Sequence, residues 1–348
     1  MYMANPLFKT VAIIAVIAAL VYGAGALYLS KKGSLPQVDA QIQALLQRNN
    51  SADLDGTIAA AEQHLNTNPK DEDAQLVLAA VYLDKGAETG IVGEYAQKAQ
   101  TLINQVLAAD PNNTEAHRQL GYSYEIEQMY GKAIAEYTIA LQLDPSDDLS
   151  YEYRGHAYDL YGNLTQAKAD YDSAYSLNPS RDVTLMNLAR YYSEIGDATN
   201  TIAYAQQAIK VATKARIIST LYLSLSTAYD NQDVMPSAFS AVNSAISADP
   251  TYFSPYMQRA YFNLEDVSSL TASSAAPIEN DIDKAISLNP GSSNAYFLKA
   301  EVAKYKNDTA SSKTYVDKGL ALLDADTTLT ADGRSQLKAE VTSFFNLH

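Results

Sequence analysis

Residues 114–147 read TEAHRQLGYSYEIEQMYGKAIAEYTIALQLDPSD, and residues 148–181 read DLSYEYRGHAYDLYGNLTQAKADYDSAYSLNPSR. Laid over each other without a gap, the lines agree at small, aromatic and proline places. Leu120-Gly121, Tyr124, Ala133, Tyr137, Ala140 and Pro145 fall on Arg154-Gly155, Tyr158, Ala167, Tyr171, Ala174 and Pro179. Self-similarity at such a fixed period marks a stacked array of small units. Within one unit, two antiparallel helices meet where residues are small, as at Gly121 and Ala133. Tyr124 and Tyr137 fill the space towards the neighbouring helix. The proline removes an amide donor, clashes with the preceding turn and so ends the second helix.

The pattern continues outward. Leu225-Ser226, Tyr229, Ala238, Val242, Ala245 and Pro250 make a further unit. Leu188-Ala189, Tyr192, Ala205 and Ala208 make another, which lacks the closing proline and carries Thr201 where alanine is usual. The stretch Ile209 to Ile217 is expected to lengthen the second helix of that unit, and Thr201 to loosen its packing. Leu78-Ala79 and Tyr82 open an earlier unit closed by Ala99, Ile103, Val106 and Pro111. About eight extra residues near Gly86 to Gly93 separate its two helices on this reading. Arg259-Ala260 opens a later unit, closed by Ile278, Ile282, Ala285 and Pro290, with a loop expected near Ser268 to Ala276. Tyr296, Ala300, Val316 and Gly319 form the last. The earliest helices, Val38 to Leu46 and Leu54 to Leu65, end at Pro69.

With small, aromatic and proline places recurring together, the chain resembles the tetratricopeptide repeat (TPR) family over residues 37–325, most strongly at 114–250. The resemblance implies an all-α fold, a right-handed superhelical solenoid of about seven to eight antiparallel helix pairs. Residues 33–36 read as a linker and 326–348 as a capping segment. In that segment Ala331 to Phe345 is a predicted helix with Thr330 as N-cap and Leu337, Val341, Phe344 and Phe345 on its apolar stripe.

The resemblance also implies a partner site, because first helices of successive units line a concave groove in this family. Mapped unit by unit, its inward places carry Arg118, Tyr122, Glu152, Tyr153, His156, Asn187, Arg190, Gln258 and Tyr261. This mixture of aromatic and polar groups suits peptide recognition. Some family members clamp a partner's C-terminal carboxylate with lysines and asparagines. Here those places carry Arg118, Tyr122, Tyr153, Val183 and Asn187, so the clamp is not reproduced.

Composition narrows the partner classes. The formal net charge of −15 disfavours nucleic acid, which needs clustered Lys and Arg. The chain has no cysteine, which removes disulfides, thiolate metal sites and cysteine nucleophiles. Tyrosine is abundant at 26 residues and tryptophan is absent. Much Ser, Thr and Asn with little Lys leans towards an exported protein.

Val11 to Leu29 runs without a charge within residues 1–32 and is long enough to cross a bilayer as a helix. Lys9 lies before it and Lys31 and Lys32 after it. The reading is an N-terminal hydrophobic anchor helix in the lipid bilayer, with a cleavable signal as rival because Ala24-Gly25-Ala26 has small-x-small form. Ala15, Ala19 and Gly23 share one face, where small residues let helices approach and self-associate.

No catalytic constellation emerges. His64, His117, His156 and His348 form no helix-face metal pair, and His117 reads as core packing. Gly131-Lys132 lacks the earlier glycine of a phosphate loop. Asp324, Asp326 and Asp332 depart from a calcium loop at the glycine and glutamate places. No cofactor and no metal are expected, and the chain is expected not to be an enzyme. Asn49, Asn112, Asn163 and Asn307 head glycosylation sequons, which matter only in an exported protein.

Two functional readings follow. The first is a membrane-anchored scaffold or adaptor that binds other proteins or peptides through its groove, with the repeats outside the cytoplasm or at the cell surface. The alternative is a structural subunit of an extracellular filament or homo-oligomer, with the hydrophobic helix packed as a spine and the repeats outside.

Overall fold

Four junctions between units share one signal that the sequence repeats. In the computed structural model, which describes residues 54–265, 272–325 and 331–345, the segment joining one unit to the next has the form Asp/Asn-Pro-x-Asp/Asn/Ser at residues 68–71, 110–113, 144–147 and 289–292. The first residue closes the preceding helix. The amides of Asp110, Asp144 and Asn289 donate to the carbonyls four residues back. Their side chains then accept from the amides of Asn112, Ser146 and Gly291 across the proline. The last residue opens the next helix, where Asp71, Asn113, Asp147 and Ser292 are N-caps accepting a backbone amide. A cap of this kind contributes about 1 kcal/mol, and the motif satisfies both helix ends at once.

The described residues form sixteen helices and no strand: α1 Leu54–Thr67, α2 Glu72–Thr89, α3 Val92–Ala109, α4 Thr114–Ile126, α5 Tyr130–Leu143, α6 Asp148–Leu160, α7 Leu164–Leu177, α8 Asp182–Glu194, α9 Ala198–Val211, α10 Ala215–Asp230, α11 Met235–Ala248, α12 Phe253–Glu265, α13 Ala272–Leu288, α14 Ser293–Tyr305, α15 Thr309–Ala325 and α16 Ala331–Phe345. None of them is long and apolar enough to cross a membrane. Val11 to Leu29, with Ala15, Ala19 and Gly23, lies outside the described residues, as do Asn49, Thr330 and His348. The described chain divides into two units, residues 54–187 and residues 188–345, with the boundary inside α8.

In the first unit α2 packs on α3, α4 on α5 and α6 on α7, and α1, α3 and α5 also pack on the first helix that follows each of them. The small places make this closeness physical. A Cβ added to Gly121 would stand 2.6 Å from the Tyr137 ring, and one added to Gly155 2.9 Å from the Tyr171 ring. Both rings are fully buried and cannot retreat without opening the core.

The eight extra residues near Gly86 do not form a connecting loop. They lengthen both helices: α2 and α3 have 18 residues each, against 13 in α4 and 14 in α5. The hairpin stays packed to its end because Gly86 lets the two helices meet, with Tyr95 Cβ only 3.1 Å from where its own Cβ would be. Gly90, at φ 73°, then makes the turn in the left-handed conformation that suits glycine.

In the second unit α10 packs on α11, α12 on α13 and α14 on α15, and α16 closes the array against α15, with Val341 buried. Two expectations need correcting here. The residues after Ile209 do not lengthen α9, which ends at Val211. They extend the following first helix instead, so α10 has 16 residues. Its early turns are held by Arg216, which lies over the Tyr252 ring and pairs with Asp249 at 2.6 Å, and by Ser219, which donates to the Ala245 carbonyl. Likewise Ala272 to Ala276 are helical rather than loop, within an α13 that accommodates Pro277. Thr201 is fully buried, and its hydroxyl donates to the Asp197 carbonyl at 2.9 Å.

Candidate functional site

In the first unit the first helices also meet one another, α2 against α4 and α4 against α6. The face they share holds Arg118, Tyr122, Glu152, Tyr153, His156 and Asn187. The structure uses several of these side chains to tie one repeat to the next. Arg118 Nη1 donates to Asp147 Oδ2 at 2.6 Å and also pairs with Glu115. Asp147 is at the same time the N-cap of α6, so the guanidinium fastens α4 to the start of the next repeat. His156 Nδ1 lies 2.7 Å from Glu125 Oε1, and Tyr137 donates to the other oxygen of that carboxylate. Arg181 pairs with Asp148 at 2.8 Å.

Glu152 is the most deeply placed of the mapped residues, at 1% exposure. Its Oε2 accepts from Thr184 Oγ1 at 2.5 Å, while its Oε1 has no partner. Burial pushes this carboxyl up to about 7, against the pull of Arg181. Asn187 is buried as well. Arg118, Glu152 and His156, mapped to the partner-binding groove, also tie one repeat to the next. A long charged side chain in a close-packed crossing is stable only with a partner, and the neighbouring repeat supplies it.

Tyrosine rings pack beside these ties. Tyr153 stacks on Tyr122 at 6.0 Å and on Tyr137 at 5.8 Å. Tyr122 is nine-tenths buried and its hydroxyl has no hydrogen-bond partner. Burial holds the phenol well above its ordinary value, and the charges of Asp84 and Glu125 add to that rise.

In the second unit the mapped residues are Arg190, Gln258 and Tyr261. Arg190 donates to Glu194, one turn along its own helix, at 2.9 Å. Gln258 is half-buried. Tyr261 donates to Glu265, and burial, that bond and the charges of Asp230 and Glu301 raise its phenol above its ordinary value. Glu301 is buried and is pushed up to about 7 by that burial.

Repeat spacing did not expose the carboxylates whose charge acts on these tyrosines. A signal was present, since every first helix from α2 to α12 carries an acid in its C-terminal half: Asp84, Glu125, Asp159, Glu194, Asp230 and Glu265. His117 also differs from expectation. It is a clasp, with Nδ1 2.8 Å from Glu136 and Nε2 3.0 Å from the Pro111 carbonyl. The described sequons lie at helix starts. Asn112 precedes the Asn113 cap, Asn163 is itself a cap, and Asn307 precedes Asp308, whose side chain accepts from the Ser311 amide. Capping chemistry alone accounts for Asn and Asp followed by Thr at these places.

No protein-family model matches the chain, and no curated protein matches its sequence. Solved structures do match. A tetratricopeptide repeat protein from Parabacteroides merdae aligns with a TM-score of 0.58 at 16% identity, over 78% of this chain and 98% of that one. The Cut9–Hcn1 hetero-tetramer of the APC/C aligns at 0.59 and 17% identity over 75% of this chain, which spans about half (51%) of the length of that chain. PilW, a type IV pilus biogenesis factor, aligns at 0.52 and 18% identity over 64% of this chain and 98% of that one. The fold of this chain is that of the tetratricopeptide repeat proteins.

Proposed function

We propose that this chain is a protein-interaction scaffold that binds extended segments of other proteins along its first-helix faces and carries out no catalysis. One observation carries this reading. Tyr153, partly exposed, is stacked on the buried Tyr122 ring, and inter-repeat bonds at Arg118, His156 and Glu152 hold the face around it in place. Large rings fixed before binding lose little freedom on contact, which is the profile of an interface anchor.

The uncharged Val11 to Leu29 supports an anchoring role in a bilayer, with the repeats outside the cytoplasm. Extraction of membranes at alkaline pH tests the anchor, and protease access in sealed cells tests the side.

For the interaction face, a displayed peptide library is selected on the full chain and the winners are re-tested on Tyr153→Ala and Gln258→Ala. The expected result is winners that lose at least tenfold in affinity on one variant while both variants remain folded by circular dichroism. Selection of no peptide, or winners indifferent to both changes, would count against the reading.

A further inference from the structure

Resting on the proposed bilayer anchor, we infer that the hairpin edge of the first unit is a membrane-contact surface, with its apolar turn residues seated at the interface of a bilayer of neutral phospholipid. The pairs α2/α3, α4/α5 and α6/α7 follow one another as packed antiparallel hairpins, so their three turns lie at one edge. Each turn exposes a large apolar side chain: Ile91 at 52%, Met129 at 41%, and Tyr161 with Leu164 at 65% and 37%. Turns ordinarily take glycine, asparagine, aspartate or serine, which serve the local backbone without exposing apolar surface.

Single exposed apolar residues are common on any protein surface. What sets these apart is their place. Ile91 and Met129 are the N-caps of α3 and α5, and neither makes a side-chain cap bond. The N-cap is where aspartate or asparagine stabilises a helix most. The repeat can use that chemistry, since at α7 Asn163 accepts from the Gln166 amide. There the apolar groups stand beside the cap, Tyr161 two residues before it and Leu164 one after. Each of these turns thus keeps an apolar group whether or not it keeps the cap. The second unit shows both forms, with Val234 as an apolar N-cap that makes no cap bond and the exposed Ile195 before the Asp197 cap.

Two features favour a bilayer over a protein as the occupant. The first is the tether. Residues 30–53 separate the uncharged Val11 to Leu29 from α1 and span at most about 80 Å when stretched. An anchored chain therefore keeps the first unit beside lipid, where several weak contacts suffice. The second is the form of the surface. Gln128 and Lys132 near Met129, and Asn163 near Tyr161, are exposed polar residues between the apolar ones. They break up the contiguous apolar centre that a protein interface needs. Separate apolar tips with a tyrosine among them suit the level where lipid chains meet headgroups. A second copy of the edge would also bring up a like net charge of −15.

The chain has no cysteine, so single-cysteine variants can each carry one environment-sensitive fluorophore. The positions are Met129→Cys and Tyr161→Cys at the edge, and Leu177→Cys at the far end of α7, where the leucine is similarly exposed at 46%. The full chain is reconstituted into phosphatidylcholine vesicles containing nitroxide-labelled acyl chains, and flotation with the vesicles is read separately. The two edge labels are expected to be quenched by nitroxide lipid at least twofold more than the Leu177→Cys label, and less by aqueous iodide. Equal quenching of all three in a chain that floats overturns the contact surface and leaves the anchor standing. A chain that does not float overturns both. Edge labels that brighten with protein concentration in detergent alone would give the edge to a second copy and overturn the lipid assignment. In the chain labelled at Tyr161→Cys, the further changes Ile91→Asp and Met129→Asp supply the missing caps. They are expected to raise the urea midpoint while at least halving the lipid quenching. A lowered midpoint would mean that both side chains pack within the fold, and it overturns the surface as well.

Discussion

The pair α4/α5 and the pair α14/α15 solve one packing problem with the parts exchanged. In α4/α5 the first helix supplies the notch, Gly121, and the second supplies the ring, Tyr137. In α14/α15 the second helix supplies the notch, Gly319, and the first supplies the ring, Phe297, in contact with the place where a Gly319 side chain would begin. The tyrosine place of the last pair holds Val316, and Ala300 fills the usual glycine place. What the repeat preserves is therefore the summed volume at the crossing, not which helix carries it. A close-packed core enforces the sum and is indifferent to its division.

The sharpest way to break this equivalence is to remove the ring from each pair. Tyr137→Ala and Phe297→Ala should each cost about 3–5 kcal/mol, as loss of a large buried side chain does, read as a shift of the urea midpoint. Hydrogen exchange should place the loss in the edited pair and its immediate neighbours, because repeats couple locally. A cost below about 1 kcal/mol for Phe297→Ala alone would mean that the exchanged lock is not one.

A second comparison uses charge. Glu152 on α6 and Glu301 on α14 are both pushed up to about 7 by burial. Each carboxyl keeps its proton in the folded chain where the unfolded chain has released it. Stability is then greatest below about pH 4.5 from this source and falls as pH rises to about 7, by up to about 3 kcal/mol per group. Glu152→Gln and Glu301→Gln should each flatten part of that slope in melts from pH 5 to 7.5. An unchanged slope in either variant would separate the two regions.

The smallest effect expected is that of filling the notches. Gly121→Ala and Gly319→Ala gain about 1 kcal/mol in helix propensity but force the facing ring to move, at about 1–3 kcal/mol. The net loss should be at most about 2 kcal/mol in both, measured by thermal melts. A stabilised variant would show that its ring has room.

How much of this could be read from the sequence depended on whether a residue acts within its own repeat or between repeats. Gly121, Tyr137, Gly155 and Tyr171 act inside one hairpin, so a fixed spacing exposes them. The capping helix Ala331–Phe345 was readable because its apolar stripe is local to it. The ties of Arg118 and Glu152 stayed hidden because their partners, Asp147 and Thr184, are 29 and 32 residues away. A surplus of residues was also misassigned twice, near Gly86 and after Ile209. Periodicity shows that residues have been added but not whether they extend a helix or a loop. That choice depends on tertiary partners such as Tyr95 and Tyr252.

The long hairpin α2/α3 has one practical corollary. Its added residues extend the paired rods by about 7 Å at 1.5 Å per residue, and the core crossings at Ala79 and Ala99 stay buried. The tip at Gly90 and Ile91 is exposed. A guest loop spliced in after Gly90 would be displayed on a stiff stem clear of the interaction face, which makes that turn the natural place for an affinity handle or a fluorescent reporter.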